Sequence, residues 1–467
     1  MANQVKISQL LPYLKGSVRG QITKIRYSRS DKRMEPTSIF IPRQESKDLT
    51  KKPFLNHNFG VTSKSYYDSQ KLVASALFNR IRKIDINTCQ EKDIAPFYVC
   101  DLGELKRLAV KLRKCLPRIH PFYAVKCNND SRLLRAIADL GFGFDCASKE
   151  EIDQIISENI SPSRIIYANP CKSIPHLRHA KDVRVALTTV DNLDELVKIN
   201  KFHPSCGILI RILTDDSSST CPLSVKFGAS LKYAKEMIDA CKSLDLDLKG
   251  IAFHVGSGCN NFNTFAKAVQ DSRELFNYAE RQGFKMNILD VGGGFAKFSL
   301  EQSSIILRNA LDSFFPEAEN PELIIISEMG RYFSSSCFTL AANIISKRSD
   351  PQKERLYLND GVYGNLNCIL YDHQLVQPKV LTSGGQFKYF DNLGTKENHV
   401  NSQKTYSIWG PTCDGLDCII SRIKLPYEVE IGDWLYFENA GAYTSVAATS
   451  FNGFKSNFTC IYVNSEY

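Results

Sequence analysis

From Pro121 onward the chain alternates between short apolar runs and segments whose apolar residues recur every three or four positions. The runs fall at 122–126, 142–146, 164–168, 184–188, 207–212, 249–255, 287–291 and 323–327. Their length, and the turn residues that bound them, are those of buried strands. Helical spacing fills most of the gaps. One helix opens at Asp130 and carries Leu133, Leu134 and Ile137. The next opens with the capping box Ser148-Lys149-Glu150-Glu151 and carries Ile152, Ile155 and Ile156. Eight strands separated by helices predict a parallel (β/α)8 barrel, an α/β architecture; an open doubly wound sheet is the alternative that periodicity leaves standing.

Ahead of the barrel, residues 68–95 show helical spacing (Leu72, Val73, Ala76, Leu77, Ile81), and Phe97-Tyr98-Val99-Cys100 reads as a short strand. Leu102 to Leu116 reads as a helix closed by Pro117. After about residue 345 the rhythm changes. Leu356-Tyr357-Leu358, Cys368-Ile369-Leu370-Tyr371, Tyr406-Ser407-Ile408-Trp409, Trp434-Leu435-Tyr436-Phe437 and Cys460-Ile461-Tyr462-Val463 are strand candidates parted by Gly, Asn, Asp and Pro. They predict an all-β second domain, and the polar stretch 383–404 predicts a mobile loop. The chain thus divides into a tail (1–60), a barrel domain (96–335) and a β-rich domain made of 61–95 with 336–467.

A length of 467 residues suffices for two well-filled cores, and 43% hydrophobic with 23% charged residues is ordinary for a soluble globular protein. No run of 18 apolar residues occurs, so no membrane span is expected. Fifteen cysteines, an odd number without a CxxC pair, point to a reducing compartment and a cytoplasmic location. The net charge of +9 is local: residues 1–60 hold twelve Lys/Arg against four Asp/Glu. The rest is nearly neutral, and no nucleic-acid surface is expected on it. The tail has no acid before Asp31, and its Ile7, Leu10, Leu14, Val18, Ile22 and Ile25 recur at helical spacing broken by Pro12, Gly16 and Gly20. A basic disordered arm is the favoured reading and a mitochondrial transit peptide the other.

In such barrels the chemistry collects at the carboxyl ends of the strands. Strand one ends in Lys126 and strand two in Asp145. Strand six ends in His254-Val255-Gly256-Ser257-Gly258, strand seven in Asp290-Val291-Gly292-Gly293-Gly294, and strand eight in Glu328-Met329-Gly330-Arg331. A lysine at a strand end loses solvation, which lowers its pKa and frees an amine to hold an aldehyde as a Schiff base. Three successive glycines let backbone N–H groups close on a phosphate, and Gly330-Arg331 add an amide and a guanidinium. Glu328 suits a cationic ring nitrogen. Each signal has a plainer reading: a snorkelling lysine, a glycine turn, a core histidine. Together they form the inventory for pyridoxal phosphate.

The stretches PFYAVKCN, FDCASKEEI, IIYANPCK, FHVGSGC, LDVGGGF, DGVYGNLNCILYDH, WGPTCDGLD and GAYT follow in order between about residues 96 and 454. They resemble the eukaryotic ornithine decarboxylases, and Asp-Gly-Leu-Asp-Cys at 414–418 is similar to the fungal ones. The resemblance implies a pyridoxal-phosphate barrel, a sandwich-like second domain and a head-to-tail homodimer with two shared active sites. It implies conversion of L-ornithine to putrescine and CO2, the first step of polyamine biosynthesis, with antizyme as a possible protein partner. Carried over by position, Lys126 is the Schiff-base lysine with Asp145 beside it. His254 stacks on the ring, and Glu328 meets the pyridine nitrogen. Ser257, Gly292, Gly293, Gly294, Gly330, Arg331 and Tyr443 surround the cofactor's phosphate end. Tyr371 and Asp372 take the substrate's distal amine, and Cys413 and Asp414 enter from the partner subunit, with Cys413 returning a proton to the α-carbon.

Two carboxylates, Asp372 and Asp414, favour a diamino acid, because together they offset the desolvation of an ammonium. The alternatives are a catalytically inactive antizyme-binding decoy and a sister lysine or arginine decarboxylase. Two positions depart from the family: Met329 stands where it has proline, and Pro222 where it has arginine. A looser phosphate turn and the loss of a guanidinium near the cofactor are expected.

Overall fold

The computed structural model describes residues 63–85, 87–349, 353–392, 404–454 and 458–466. The basic tail, with its transit-peptide alternative, lies outside them. The described chain enters through the helix Ser63–Ile81 and a strand, β1 (Phe97–Asp101). Eight parallel strands then close into a barrel: β2 (Ile119–Ala124), β3 (Gly143–Cys146), β4 (Ile165–Tyr167), β5 (Leu187–Val190), β6 (Gly207–Ile212), β7 (Leu248–Phe253), β8 (Ile288–Asp290) and β9 (Ile324–Glu328). Closure is direct, with Phe122 of β2 opposite Glu328 of β9, so the open sheet is excluded. Strands buried on both faces read as unbroken apolar runs, which is why these segments were legible. Phe122, Ile166, Leu187, Leu209, Ala252, Ile288 and Ile326 form one buried cluster along the barrel strands, and the larger core joins the strands to the surrounding helices.

Local signals set most of the boundaries. Asp130 caps the helix Ser131–Asp139 by accepting from Leu133 N–H. Ser148 caps Lys149–Ser157 through Glu151 N–H, but the Glu151 carboxylate reaches back to Ala147 N–H at 2.6 Å, so the capping box is displaced by one residue. The run expected at 184–188 begins three residues late. Arg184, at φ +65°, ends the preceding helix in the left-handed region, and the strand starts only at Leu187.

The second domain is built on β10 (Phe338–Arg348), β11 (Glu354–Leu358), β12 (Lys379–Val380), β13 (Thr382–Ser383), β14 (Gln386–Phe387), β15 (Thr405–Trp409), β16 (Cys418–Lys424), β17 (Trp434–Phe437) and β18 (Thr459–Val463). Its sheet runs β12-β17-β10-β11-β15-β16, and β1 joins it, antiparallel to β10 and parallel to β18. This corrects the expected boundary at 96: residues 97–101 belong to this mixed sheet. The handover falls at Asp101, which caps the helix Leu102–Cys115 and also accepts from Ser69 and Ser465 hydroxyls at 2.6 Å each. A four-residue apolar run carries no mark of which sheet it will join.

Two further expectations change. Cys368–Tyr371 is a helical turn, closed by Tyr371 N–H to Asn367 O at 3.0 Å; four apolar residues alone do not separate strand from helix. Residues 383–392 of the expected loop are anchored to the second domain, with buried Tyr389 stacked on Tyr436 at 4.9 Å, while 393–403 lie outside the described residues. The aromatics Phe387, Tyr389 and Phe390 anchor a stretch whose composition reads as polar.

Candidate active site

At the carboxyl ends of the barrel strands lies a cavity of about 580 Å³, within the range of small-molecule sites. Lys126, His254, Ser257, Gly294, Glu328, Gly330, Arg331, Tyr371, Asp372 and Tyr443 line it. Asp145 is fully buried beside Lys126. Lys126 itself sits two residues beyond β2, in the turn Val125–Cys127.

One end of the cavity is anionic. The Lys126 ammonium is ion-paired with Asp145. Burial pushes its pKa down, but the Asp145 and Glu328 carboxylates outweigh burial and hold it above the ordinary lysine value. The expected lowering is therefore reversed: three acids converge where one amine was read. Burial, then Asp145, pushes Glu328 up to about 7, against the pull of Lys126 and Arg211. Burial, then Glu328, raises Asp290 well above the carboxylate range, so the Glu328–Asp290 pair holds a proton between its two carboxyls. Asp290 Oδ1 accepts from Gly292 N–H at 2.8 Å, while buried Asp145 Oδ1 and Asp290 Oδ2 have no donor among the described residues. Such a cluster is built to take a further cation.

Arg211 was absent from the residues singled out by sequence, and Asp290 was read only as the end of strand seven, without a role in the site. Arg211 hides inside the apolar run Gly207–Ile212; a guanidinium in the middle of a fully buried strand was the available signal.

His254 Nδ1 accepts from Gly256 N–H at 3.0 Å, which places its proton on Nε2. Burial, then Arg211 and Lys126, drives its pKa well below the usual value, so the ring is neutral. The glycines behind it divide their roles. A side chain on Gly293 would meet His254 Nε2 at 2.7 Å, and Gly292 has φ +62° with Phe253 O only 2.2 Å from where its Cβ would stand. These two seat the histidine, and Gly294 alone of the three faces the cavity.

The other end gathers Arg331, Ser257 and Tyr443. The Arg331 guanidinium donates to Ser257 Oγ at 3.0 Å and to both Asp372 oxygens at 2.6 Å, and lies 5.2 Å from the Tyr443 ring centre. Residues read as phosphate ligand and ammonium ligand are thus paired with each other. An anion at Arg331 and a cation at Asp372 would together replace that pair.

The two departures look different in place. Pro222 is exposed and off the cavity wall, which is made there by Cys221 and Leu223. Asp216 accepts from Leu223 and Ser224 N–H at 2.6 and 2.8 Å and holds that loop independently of residue 222. The expected loss of a guanidinium near the cofactor is therefore corrected. Met329 is buried and donates its N–H to Phe122 O at 2.9 Å. Pro222→Arg should leave cofactor affinity unchanged. Met329→Pro should lower stability by about 1 kcal/mol, because proline forfeits that hydrogen bond, and thermal melts of both variants check the pair.

Glu328 sets a pH dependence. Its folded pKa of about 7 exceeds the ordinary 4.5, so the folded state binds this proton more tightly between those values. The sign follows: stability falls as pH rises through that window and stays lower above it, while His254 works in the opposite sense below its ordinary 6.5. Glu328→Gln should flatten the fall in melting temperature of the ligand-free protein between about pH 5 and about pH 8. An unchanged slope would remove Glu328 as the source.

Cys413 and Asp414 do not join the cavity of their own chain. Cys413 is exposed and donates its N–H to Asn452 Oδ1 at 2.9 Å. Asp414 accepts from the Tyr363 hydroxyl and from Leu416 N–H, which hold its carboxyl below the usual range. Among the described residues, no group of three His, Cys, Asp or Glu could hold a metal, and no helix is long and apolar enough to cross a membrane.

The family model described as pyridoxal-dependent decarboxylase, pyridoxal binding domain, matches residues 102–335. The chain is 48% identical to ornithine decarboxylase of Saccharomyces cerevisiae, covering 84% of this chain and 86% of that one. It is 46% identical to ornithine decarboxylase of Schizosaccharomyces pombe, covering 85% and 90%. Among solved structures, the arginine decarboxylase of Paramecium bursaria Chlorella virus, bound to agmatine, superposes with a TM-score of 0.75 at 35% identity, over 84% of this chain and 100% of that one.

Proposed function

The chain belongs to the pyridoxal-dependent decarboxylases, and from that premise we propose that it converts L-ornithine to putrescine and CO2 with pyridoxal phosphate, as a homodimer with shared sites. The observation that carries the reading is the cavity with Lys126 among three carboxylates, the buried Asp145 and Asp290 and the cavity-lining Glu328, at one end and Arg331, Ser257 and Tyr443 at the other. The fit to the cofactor rests on buried Asp145 Oδ1, an acceptor without a protein donor among the described residues, beside a site suited to a cationic nitrogen.

Bound there, pyridoxal phosphate supplies an electron sink for the pair left behind as CO2 departs. Lys126 provides the amine that holds it. Glu328, with Asp290 behind it, stabilises positive charge at the ring nitrogen, and neutral His254 stacks on the ring face. Arg331, Ser257, Tyr443, Gly294 and Gly330 take the phosphate. Asp372 and Tyr371 receive the substrate's distal ammonium together with Asp414 of the partner subunit. The partner subunit's Cys413 returns a proton to the α-carbon.

All these residues are present, which favours an enzyme over an inactive antizyme-binding decoy. Antizyme belongs to the reading as a regulatory partner, and binding to the purified chain tests it. Fifteen free thiols support a cytoplasmic location. Lysine is the natural side substrate, since one methylene gives only about 1–3 kcal/mol of discrimination. The test is an absorbance spectrum with added pyridoxal phosphate, followed by amine analysis with ornithine, lysine and arginine in parallel. A visible band and putrescine as the main product are expected. No band, or faster turnover of lysine or arginine, overturns the reading.

A further inference from the structure

Tyr443 is a bulky residue at φ +53°, in the left-handed region. A backbone of that kind persists only where its surroundings over-determine it, and such strain collects at functional sites. Here the constraint comes from the turn that carries Lys126. Tyr443 N–H donates to Cys127 O at 2.9 Å, and the Asn128 carboxamide donates to Gly441 O at 2.8 Å. Consecutive residues after Lys126 therefore grip residues 443 and 441 of the second domain like two rungs.

Asn128 is buried and fully engaged. Its Oδ1 accepts from Asp130 N–H at 3.0 Å, and its own carbonyl accepts from the Tyr123 hydroxyl at 2.8 Å. Gly441 is pressed against the barrel side from the other direction: a Cβ there would lie 2.0 Å from Ser334 O. The Tyr443 ring that results lines the cavity, 5.2 Å from the Arg331 guanidinium carbon.

We propose that Asn128 is a positioning residue: its carboxamide clamps the Lys126 turn to the strained Gly441–Tyr443 segment and so holds the phosphate end of the site at a fixed distance from the amine. Lys126 is anchored on its own side by Asp145, so loss of the clamp moves Tyr443 rather than the lysine. The affinity that falls is then the part belonging to the phosphate. This inference rests on the reading of the cavity as a pyridoxal-phosphate site.

The experiment uses the full chain, stripped of cofactor and titrated by visible absorbance with pyridoxal phosphate and separately with pyridoxal. Asn128→Asp is isosteric and keeps the acceptor for Asp130 N–H, but as a carboxylate it faces Gly441 O without a proton to donate. Its Kd for pyridoxal phosphate should rise about tenfold, the effect of one buried hydrogen bond, while its Kd for pyridoxal stays within about twofold of the parent. A purely structural role would lower the melting temperature and leave the preference for the phosphorylated ligand intact. If Asn128→Asp does not fold, Asn128→Ser replaces it with the same expected pattern. Equal losses for both ligands, or none for either, overturn the proposal. A parent chain that binds neither ligand overturns the cofactor reading instead.

Discussion

Lys126→Ala is expected to abolish the visible band of bound cofactor and to cut decarboxylation by roughly three orders of magnitude or more. No other lysine stands in its place. Lys226 also lines the cavity, but it is exposed and lies against the Phe227 ring, 4.9 Å from its centre. Lys126 keeps 40% of its side-chain surface open to the cavity while Asp145 beside it keeps none. In the ligand-free protein its ammonium serves as counter-charge to Asp145 and Glu328, which is why its pKa stands high. A cation held at Glu328 would take over that duty and leave the lysine free to lose its proton and act as an amine. Spectra and single-turnover assays of the variant check this. A band and turnover that survive the substitution would place the Schiff-base lysine elsewhere.

Mixing Lys126→Ala with Cys413→Ala should restore activity that neither homodimer has. Cys413 lies outside the cavity that contains Lys126 in the same chain, and in the proposed homodimer it would reach the site from the partner subunit. A mixed dimer then holds one site with both lesions and one with neither. Equal amounts under free exchange give half mixed dimers, and roughly a quarter of parent activity should return. The recovery should depend on protomer concentration, because exchange does. Two differently tagged chains report whether mixed dimers have formed. If they form and remain inactive, each site is complete within one subunit and Cys413 has another role.

The barrel was legible because burial on both faces turns each strand into an apolar run that survives any change of neighbours. Lys126, His254, Glu328 and Arg331 were legible because strand ends are where charged residues in such a fold have little packing reason to be. Asp145 fell to the same rule, and the caps Asp130 and Ser148 were readable because their partners lie three residues away.

What could not be read depended on segments far apart in sequence. Phe97–Asp101 carries the pattern of a buried strand in any sheet, and only the strands Phe338–Arg348 and Thr459–Val463, folded back beside it, assign it to the second domain. The direction of the Lys126 shift follows from Asp145 and then Glu328 outweighing burial, and the engagement of Arg331 from Asp372, approaches that no local pattern encodes. Pro222 was read by analogy as a missing ligand until the loop geometry turned it outward. Periodicity records which side of an element is buried, and that is a property of neighbours along the chain. Charge interactions fall with distance through space, so the chemistry of this site was decided only when the barrel closed and the second domain came to rest on it.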